Sequence, residues 1–217
     1  MSDPPNAAAG SEAAAVDHLR AADPMLARLI DTTGLEAVGD RRRGRPPDHY
    51  GALVRSIVGQ QLSRKAARAI YGRLIDRYGG RPPTPAEVIA DDPDELRASA
   101  GLSRAKVTFL RSLAEHVLSG ALELERLDDL PDDQVIAELV AVKGIGEWSA
   151  HMFLMFHLQR PDVLAVGDLG IRKAVMRVYG LPKLPAPAEI EAIAEPWRPY
   201  GTLACLFLWE SLDAVPA

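Results

Sequence analysis

The sequence has 217 residues, of which 47% are hydrophobic and 25% charged, and its net charge is −5. This length and composition support a globular fold with one domain or two interleaved subdomains. The single cysteine, Cys205, excludes an internal disulfide framework and any zinc or iron–sulfur site that needs several thiolates. We find no signal peptide pattern and no apolar stretch long enough to span a bilayer, so we expect a cytoplasmic protein without membrane contact.

One basic block interrupts this acidic sequence. Residues 41–81 carry eleven Lys and Arg against two Asp and Glu. Such a block can neutralise a phosphate backbone, and it can equally form the ordinary solvated surface of helices. The cations considered for a DNA contact are Arg41, Arg42, Arg43, Arg45, Arg55, Arg64, Lys65, Arg68, Arg73 and Arg77.

The order of apolar residues predicts an all-α fold. Residues 1–14 have no periodic apolar face and predict a disordered tail. Beyond them, apolar residues recur at helical spacing, and alternating strand patterns are missing. N-cap residues and first-turn prolines mark the helix starts. The starts are expected at Asp48, Ser63, Thr84, Asp92, Ser103 and Pro131, and further helices are expected over 169–179, 187–194 and 200–212.

A sharp turn between two helices is predicted at Lys143-Gly144-Ile145-Gly146. The two glycines allow another surface to approach the backbone closely. The next helix begins inside the turn, so its first N–H groups suit a phosphate oxygen, and Ser149 could add a hydroxyl donor. A plain αα-hairpin explains the same pattern.

A carboxylate follows at the start of another helix, in Gly167-Asp168-Leu169-Gly170. An N-cap aspartate is common and stabilises a helix by about 1 kcal/mol. The positive end of the helix also favours the ionised carboxylate, so a structural and a chemical role are compatible at Asp168.

Taken together, these segments resemble a known family. The succession VKGIGEWSA, an apolar helix and VLAVGDLGIRKA resembles the helix-hairpin-helix, Gly/Pro-rich loop and aspartate signature of the HhH-GPD DNA glycosylase superfamily. SIVGQQLSRKAA is similar to the glutamine-containing segment of that superfamily, and WRPYGTLACLFLWESL is similar to the C-terminal segment of its AlkA-type 3-methyladenine DNA glycosylase II branch. The resemblance implies two helical subdomains, one over 45–155 and one formed by 15–44 with 156–217. It also implies a hairpin motif at about 131–158 and a DNA-binding cleft between the subdomains.

The resemblance further implies an activity. Asp168 corresponds to the catalytic aspartate of an enzyme that flips alkylated purines out of double-stranded DNA and hydrolyses their N-glycosidic bond. The expected base is 3-methyladenine, with 7-methylguanine, ethenoadenine and hypoxanthine as further candidates. Trp148 occupies the position that holds a lysine in members that also nick the strand, so no lyase activity is expected.

Other site residues also follow from the resemblance. Gln61, with Gln60 beside it, corresponds to the side chain that fills the gap left by the flipped base, although a solvent-facing polar pair explains the two glutamines as well. The base pocket is expected at Trp148, Trp209, Met152 and Leu169, and the last two stand where the enterobacterial form has tyrosines. The remaining DNA contacts are expected at Lys143, Gly144, Gly146, Ser149 and Arg172. The backbone carbonyls of Val140, Val142 and Ile145 are expected to hold a monovalent cation, with no other cofactor and no iron–sulfur cluster.

Two alternatives stay open, namely a non-enzymatic HhH protein that binds damaged DNA and an HhH-GPD glycosylase for oxidised or mismatched bases. Asp168 favours an enzyme, because a pure DNA binder gains little from a carboxylate against DNA. The expected form is a monomer at the bacterial nucleoid. A zinc site is not expected, because His151 and His157 lack ligand spacing and His18, His49 and His116 are isolated in the sequence.

Overall fold

The computed structural model describes residues 12–39 and 48–213, which form thirteen α-helices and no strand within those ranges. The predicted all-α fold is therefore confirmed. Two short 3-10 helices lie at Leu124–Arg126 and Glu195–Trp197. The α-helices are α1 Glu12–Ala22, α2 Pro24–Thr33, α3 Leu35–Gly39, α4 His49–Gly59, α5 Arg64–Arg77, α6 Pro85–Ala90, α7 Pro93–Ala100, α8 Arg104–Leu118, α9 Asp132–Val140, α10 Glu147–Phe156, α11 Leu169–Val178, α12 Pro187–Ala194 and α13 Gly201–Asp213. No helix in the described ranges is long and apolar enough to cross a membrane.

Most of these helices begin where local capping chemistry predicts. Thr84 and Glu87 form the predicted capping box, in which the Thr84 hydroxyl accepts the Glu87 N–H and the Glu87 carboxylate accepts the Thr84 N–H. The side chains of Asp48, Ser63, Asp92 and Ser103 also accept an amide of the helix that each precedes. Helix α1 begins at Glu12, three residues inside the predicted tail, because Glu and Ala are strong helix formers. The rest of that tail lies outside the described residues.

The chain divides into two compact units, residues 45–158 and residues 1–44 with 159–217. The first unit ends at Leu158, whereas the central subdomain was expected from the sequence to end at residue 155, three residues earlier. The amides of His157 and Leu158 both donate to the Phe153 carbonyl, so these residues continue the C-terminal turn of α10 and stay with its unit.

The 45–158 unit contains α4 to α10. Helix α8 contacts α4, α6 and α7, while α10 contacts α4 and α9. Leu53 and Ile57 of α4 and Leu110 and Leu113 of α8 are fully buried, which gives the unit its own apolar core. Helix α8 is therefore the element on which several others rest.

The second unit contains α1 to α3 and α11 to α13. Residues 201–208 of α13 are all buried, and α13 contacts α2 and α11. The apolar run that precedes Trp209 is thus the core of this unit, and it holds the end of α13 against the start of α11.

A buried carboxylate joins three segments of the second unit. The Oδ1 atom of Asp23 caps α2 by accepting the amides of Met25 and Leu26, while Oδ2 accepts the Trp197 indole N–H at 2.9 Å and the Tyr179 hydroxyl. Burial alone would raise the pKa of Asp23, but the hydrogen bonds from Tyr179, Trp197 and the two amides outweigh it and lower that pKa. Asp23 is consequently a charged, fully bonded part of the core.

Candidate active site

Asp168 is the N-cap of α11, as the sequence predicts. Its Oδ1 atom accepts the Ile171 amide at 2.8 Å and the Trp209 indole N–H at 2.9 Å. Its own amide donates to the Ala165 carbonyl at 2.9 Å, so the backbone before the helix is held as well. Two donors and the N-terminal end of α11 converge on this half-buried carboxylate and fix its orientation.

Gly170 is the residue that permits this arrangement. A Cβ atom at Gly170 would lie 2.9 Å from Asp168 Oδ1 and 3.1 Å from Trp209 Cδ1 and Nε1. Any larger residue would push the indole or the carboxylate out of place. The second glycine of the Gly167–Gly170 turn is therefore a packing requirement of the Asp168–Trp209 pair.

The sequence did not indicate that Trp209 and Asp168 would be bonded to each other. Trp209 was expected to line a base pocket, and the structure gives its polar edge a hydrogen bond to Asp168. Leu169, also expected in that pocket, is 53% exposed at the first position of α11. A role in stacking with a base stays a prediction for both residues.

The predicted hairpin runs from the end of α9 to the start of α10. Gly144 adopts φ +92°, and a Cβ atom there would lie 2.1 Å from the Phe109 ring on α8. Val142 and Ile145 are buried and anchor the turn, while Lys143 is exposed between them. The turn thus needs glycine at 144 for two independent reasons, its backbone conformation and its contact with α8.

Gly146 is the N-cap of α10 and supplies no side-chain hydrogen bond to it. A Cβ at this position would meet no atom within 4 Å, so the backbone here borders open space. The first amides of a helix lack intrahelical acceptors, and a small residue in front of them leaves room for an external anion. This is the geometry that the sequence predicts for a phosphate contact.

Trp148 and Met152 lie four residues apart on α10 and so share one face of that helix. The Trp148 side chain is 46% exposed, which is unusual for the largest apolar residue, and Met152 is half-buried. The indole lies at the start of α10, and its expected stacking with a base stays a prediction. Both residues belong to the 45–158 unit, whereas Asp168, Leu169 and Trp209 belong to the other.

The two adjacent glutamines have different surroundings. Gln60 donates through Nε2 to the Gly144 carbonyl at 2.8 Å and to the Ser149 hydroxyl at 3.1 Å, and Ser149 is itself buried. Gln61 is exposed and has φ +56°, a left-handed conformation that is uncommon for glutamine. The predicted DNA contacts of Gln60 and Ser149 thus fall on side chains that bond within the protein, whereas Gln61 projects from the fold.

Several arginines of the basic block at residues 41–81 bond to other groups of the protein. Arg77 pairs with Asp91 at 2.5 Å, Arg73 donates to the Ala100 carbonyl at 3.0 Å, and Arg55 lies over the Tyr71 ring. Lys65 and Arg68 are exposed on α5. Arg41, Arg42, Arg43 and Arg45 lie outside the described residues, as does the side chain of Arg64.

Arg172, expected to contact DNA, donates through Nε to the Pro185 carbonyl at 2.9 Å and secures the loop before α12.

A pocket of about 540 Å³ opens along α8 in the 45–158 unit. Arg97, Arg104, Arg111 and Lys143 line it together with Asp94 and Glu115, so its net charge is positive. Arg111 donates to carbonyls at the end of α6 and Arg97 pairs with Asp94. Among the described residues, the side chains of Arg104 and Lys143 have no ion-pair partner.

The histidines are closer together than the sequence indicated. His49 and His157, which are distant in sequence, join their ring nitrogens in a 2.7 Å hydrogen bond, and His49 also contacts Asp128 at 3.0 Å. The interpretation of His49 as isolated was wrong, because the fold brings the start of α4 to the end of α10. In the part of the chain that the structure describes, no group of three such side chains is arranged to hold a metal ion.

Comparison with known proteins decides the family. Residues 54–199 match the HhH-GPD superfamily of base excision DNA repair proteins. The chain belongs to this superfamily. The matched segment of the HhH-GPD superfamily contains the Gln60–Gln61 turn, the hairpin and Asp168, but it ends before Trp209.

Individual superfamily members agree over most of the chain. The DNA-3-methyladenine glycosylase 1 of Schizosaccharomyces pombe is 34% identical over 89% of this chain and 85% of its own length. The DNA-3-methyladenine glycosylase 2 of Escherichia coli is 31% identical, and this chain covers 57% of it. Among solved structures, the S. pombe 3-methyladenine DNA glycosylase in complex with abasic DNA superposes with a TM-score of 0.80 at 33% identity, covering 93% of this chain and 98% of that one. A DNA-3-methyladenine glycosidase from Bacillus halodurans gives a TM-score of 0.80 at 36% identity, with 95% and 92% covered.

Proposed function

We propose that this protein is a monofunctional DNA glycosylase that hydrolyses the N-glycosidic bond of alkylated purines. The observation that carries the proposal is the Asp168 carboxylate, which caps α11 and is oriented by the Trp209 indole in a chain of the HhH-GPD superfamily. The names of its relatives support an alkylated purine, with 3-methyladenine first, as the base removed.

The chemistry requires a carboxylate of this kind. Cleavage of the bond between base and sugar develops positive charge on the deoxyribose, as in other oxocarbenium-like transition states. An ionised Asp168 would stabilise that charge and orient the attacking water. A purine methylated on a ring nitrogen is already cationic and leaves without a general acid. The products would be the free base and an abasic site.

DNA binding would begin at the hairpin. The open backbone at Gly146, the N-terminus of α10 and the exposed Lys143 are suited to phosphate oxygens. Gln61 would fill the gap left by the flipped nucleotide, and its exposure supports that role. The exposed Trp148 offers an electron-rich face on which a cationic base can stack. The carbonyls of Val140, Val142 and Ile145 would hold a structural monovalent cation.

The absence of lyase activity is the second part of the proposal. A glycosylase that also nicks the strand attacks the sugar with an amine and forms a Schiff base. Trp148 stands where that amine is expected by resemblance, and Lys143 lies on the other side of the Gly144–Gly146 turn. Asp168 would therefore activate water instead of an enzyme amine.

The test is base release from methylated duplex DNA, followed with and without alkali. We expect free methylated purine and abasic sites, with strand breaks only after alkali treatment. Strand breaks without alkali would contradict the monofunctional assignment. Tight binding to damaged DNA with no release of any methylated, deaminated or oxidised base would contradict the enzymatic assignment and favour a non-enzymatic DNA-binding protein.

A further inference from the structure

The Gln60–Ser63 turn, which joins α4 to α5, is held in a strained conformation. Gln61 has φ +56° and is exposed, so its own side chain does not stabilise this backbone through packing. A left-handed residue other than glycine costs roughly 1–2 kcal/mol and persists where the surroundings determine it. The backbone hydrogen bonds of the turn are long, at 3.4 Å from Gln60 N to Ile57 O and 3.3 Å from Leu62 N to Gly59 O. The turn therefore depends on what surrounds it.

Two side chains, Lys106 of α8 and Gln60 of the turn itself, tie this turn to its surroundings. Lys106 of α8 donates through Nζ to the Val58 carbonyl at 2.7 Å, at the C-terminal end of α4. Gln60 donates to the Gly144 carbonyl and to the Ser149 hydroxyl of the hairpin segment. One bond thus fixes the helix end that enters the turn, and the others fix the turn to the hairpin.

Helix α8 connects both elements. Lys106 and Phe109 lie three residues apart and share one face of α8. Lys106 reaches the end of α4, while the Phe109 ring occupies the space beside Gly144 that a Cβ would need. The turn that presents Gln61 and the turn that presents Lys143 and Gly146 therefore rest on one helix, the first through Lys106 and the second through Phe109.

The Lys106 ammonium loses part of its hydration at this position. It is half-buried, and this burial lowers the pKa of Lys106. Its acceptor is a carbonyl at a helix C-terminus, where the helix dipole favours a cation. An apolar side chain would fill this space without loss of hydration, so the charge is explained by the bond that it makes.

We propose that Lys106 and Gln60 are positioning residues that couple the Gln61 turn to the hairpin. This inference rests on the proposed function. When the hairpin binds the DNA backbone, Gln61 stands at a fixed distance from it, so binding and insertion occur together. Lys106 and Gln60 would then act on the step that extrudes the base and not on cleavage of the extruded nucleotide.

The experiment compares two substrates in single-turnover base release. One carries a methylated purine in a normal base pair, and the other carries the same base in a one-nucleotide bulge, where extrusion is largely complete. Lys106→Met keeps the length of the side chain and removes the donor. Loss of a charge-assisted hydrogen bond corresponds to a factor of roughly ten or more. We therefore expect Lys106→Met to slow base release from the paired substrate by roughly this factor. On the bulged substrate, its rate should stay within about twofold of the wild-type rate.

Matched variants separate this role from loss of charge or of stability. Lys183→Met removes an exposed positive charge in the other unit and should leave both rates unchanged. Gln60→Leu should reproduce the paired-substrate defect, and Lys106→Arg, which keeps a donor, should restore part of the rate. Thermal unfolding of each variant measures the contribution of these bonds to the fold.

Equal slowing of Lys106→Met on both substrates would overturn the inference, as would no slowing on either. Failure of both Lys106→Met and Gln60→Leu to fold would also overturn it, because the bonds would then serve the fold alone. If the wild-type protein releases no base from either substrate, the proposed function fails instead, which keeps the two failures distinct.

Discussion

Asp23 and Asp168 accept the same kinds of hydrogen bond but differ in burial. Both are N-cap residues in the same unit, and both accept an indole N–H at 2.9 Å, from Trp197 and Trp209 respectively. Asp23 is 7% exposed and accepts donors on both oxygens, from Met25 and Leu26 on Oδ1 and from Trp197 and Tyr179 on Oδ2. Asp168 is half-buried, and its bonds from Ile171 and Trp209 both end on Oδ1.

The difference indicates how one motif can be structural in one place and suited to catalysis in another. A carboxylate that is buried and bonded on both oxygens cannot approach a substrate, and it contributes to stability. A carboxylate that is only half-buried at a helix start can be oriented by such donors and still be reached from outside the protein. Substitutions at the two aspartates should therefore separate stability from chemistry.

The largest effect is expected for Asp168→Asn. The amide oxygen can still accept from Ile171 and Trp209, so the fold should be retained, but the negative charge is lost. We expect base release to fall by at least roughly a hundredfold, with binding to abasic DNA kept. Asp129→Asn, a change of an exposed loop aspartate, is the matched control and should leave the rate unchanged. Turnover by Asp168→Asn near the wild-type rate would refute the catalytic assignment.

The converse result is expected for Asp23→Asn. Whichever way the new amide is oriented, its NH₂ group faces two donors, either Met25 and Leu26 or Trp197 and Tyr179. We expect the free energy of unfolding to fall by about 2–4 kcal/mol, because buried donors lose their acceptor. Urea unfolding measures this effect, and the rate of base release per folded molecule should stay the same. A variant as stable as the wild type would contradict the structural role.

The pH dependence of stability sharpens the same comparison. Because the pKa of Asp23 is lowered in the folded state, its contribution is fully present above the ordinary aspartate value of 3.8. That contribution is lost as the pH falls through the lower pKa of the folded state. The difference in unfolding free energy between wild type and Asp23→Asn should therefore shrink under acid conditions. A difference that is constant with pH would show that the charge of Asp23 is irrelevant.

A smaller effect is expected for Trp209→Phe, which keeps an aromatic ring and removes the indole N–H. If Trp209 orients Asp168, base release should slow by roughly tenfold, the value of one hydrogen bond to a charged group. If Trp209 only stacks on the base, phenylalanine should preserve most of the rate. Gly170→Ala tests the same pair from the other side, since its Cβ would lie 2.9 Å from Asp168 Oδ1.

The smallest effect is expected for Lys143→Gln, which removes an exposed charge from the hairpin. Each phosphate contact contributes roughly 0.9 to the slope of log affinity against log salt. The slope should therefore become shallower by about one unit, whereas Arg172→Gln should leave it unchanged, because Arg172 bonds the Pro185 carbonyl. Identical slopes for Lys143→Gln and wild type would remove Lys143 from the DNA contacts.

Local features of this protein were predictable from its sequence because they depend on neighbours within a few residues. The caps at Asp48, Ser63, Thr84, Asp92 and Ser103 bond amides two or three positions away, so residue type and spacing are sufficient. Asp168 as a helix cap and Gly144 as a turn residue follow from the same rules.

The partners of these residues were decided by tertiary packing. The indole that reaches Asp168 lies 41 residues away, and the indole that reaches Asp23 lies 174 residues away. The Lys106 bond to α4 spans 48 residues and the Gln60 bond to the hairpin 84. Residue type alone does not tell which partner Trp197, Trp209, Gln60 or Gln61 will bond, since each pair has the same chemistry. Sequence determined which groups were available, and packing of the helices decided which became buried, bonded or exposed.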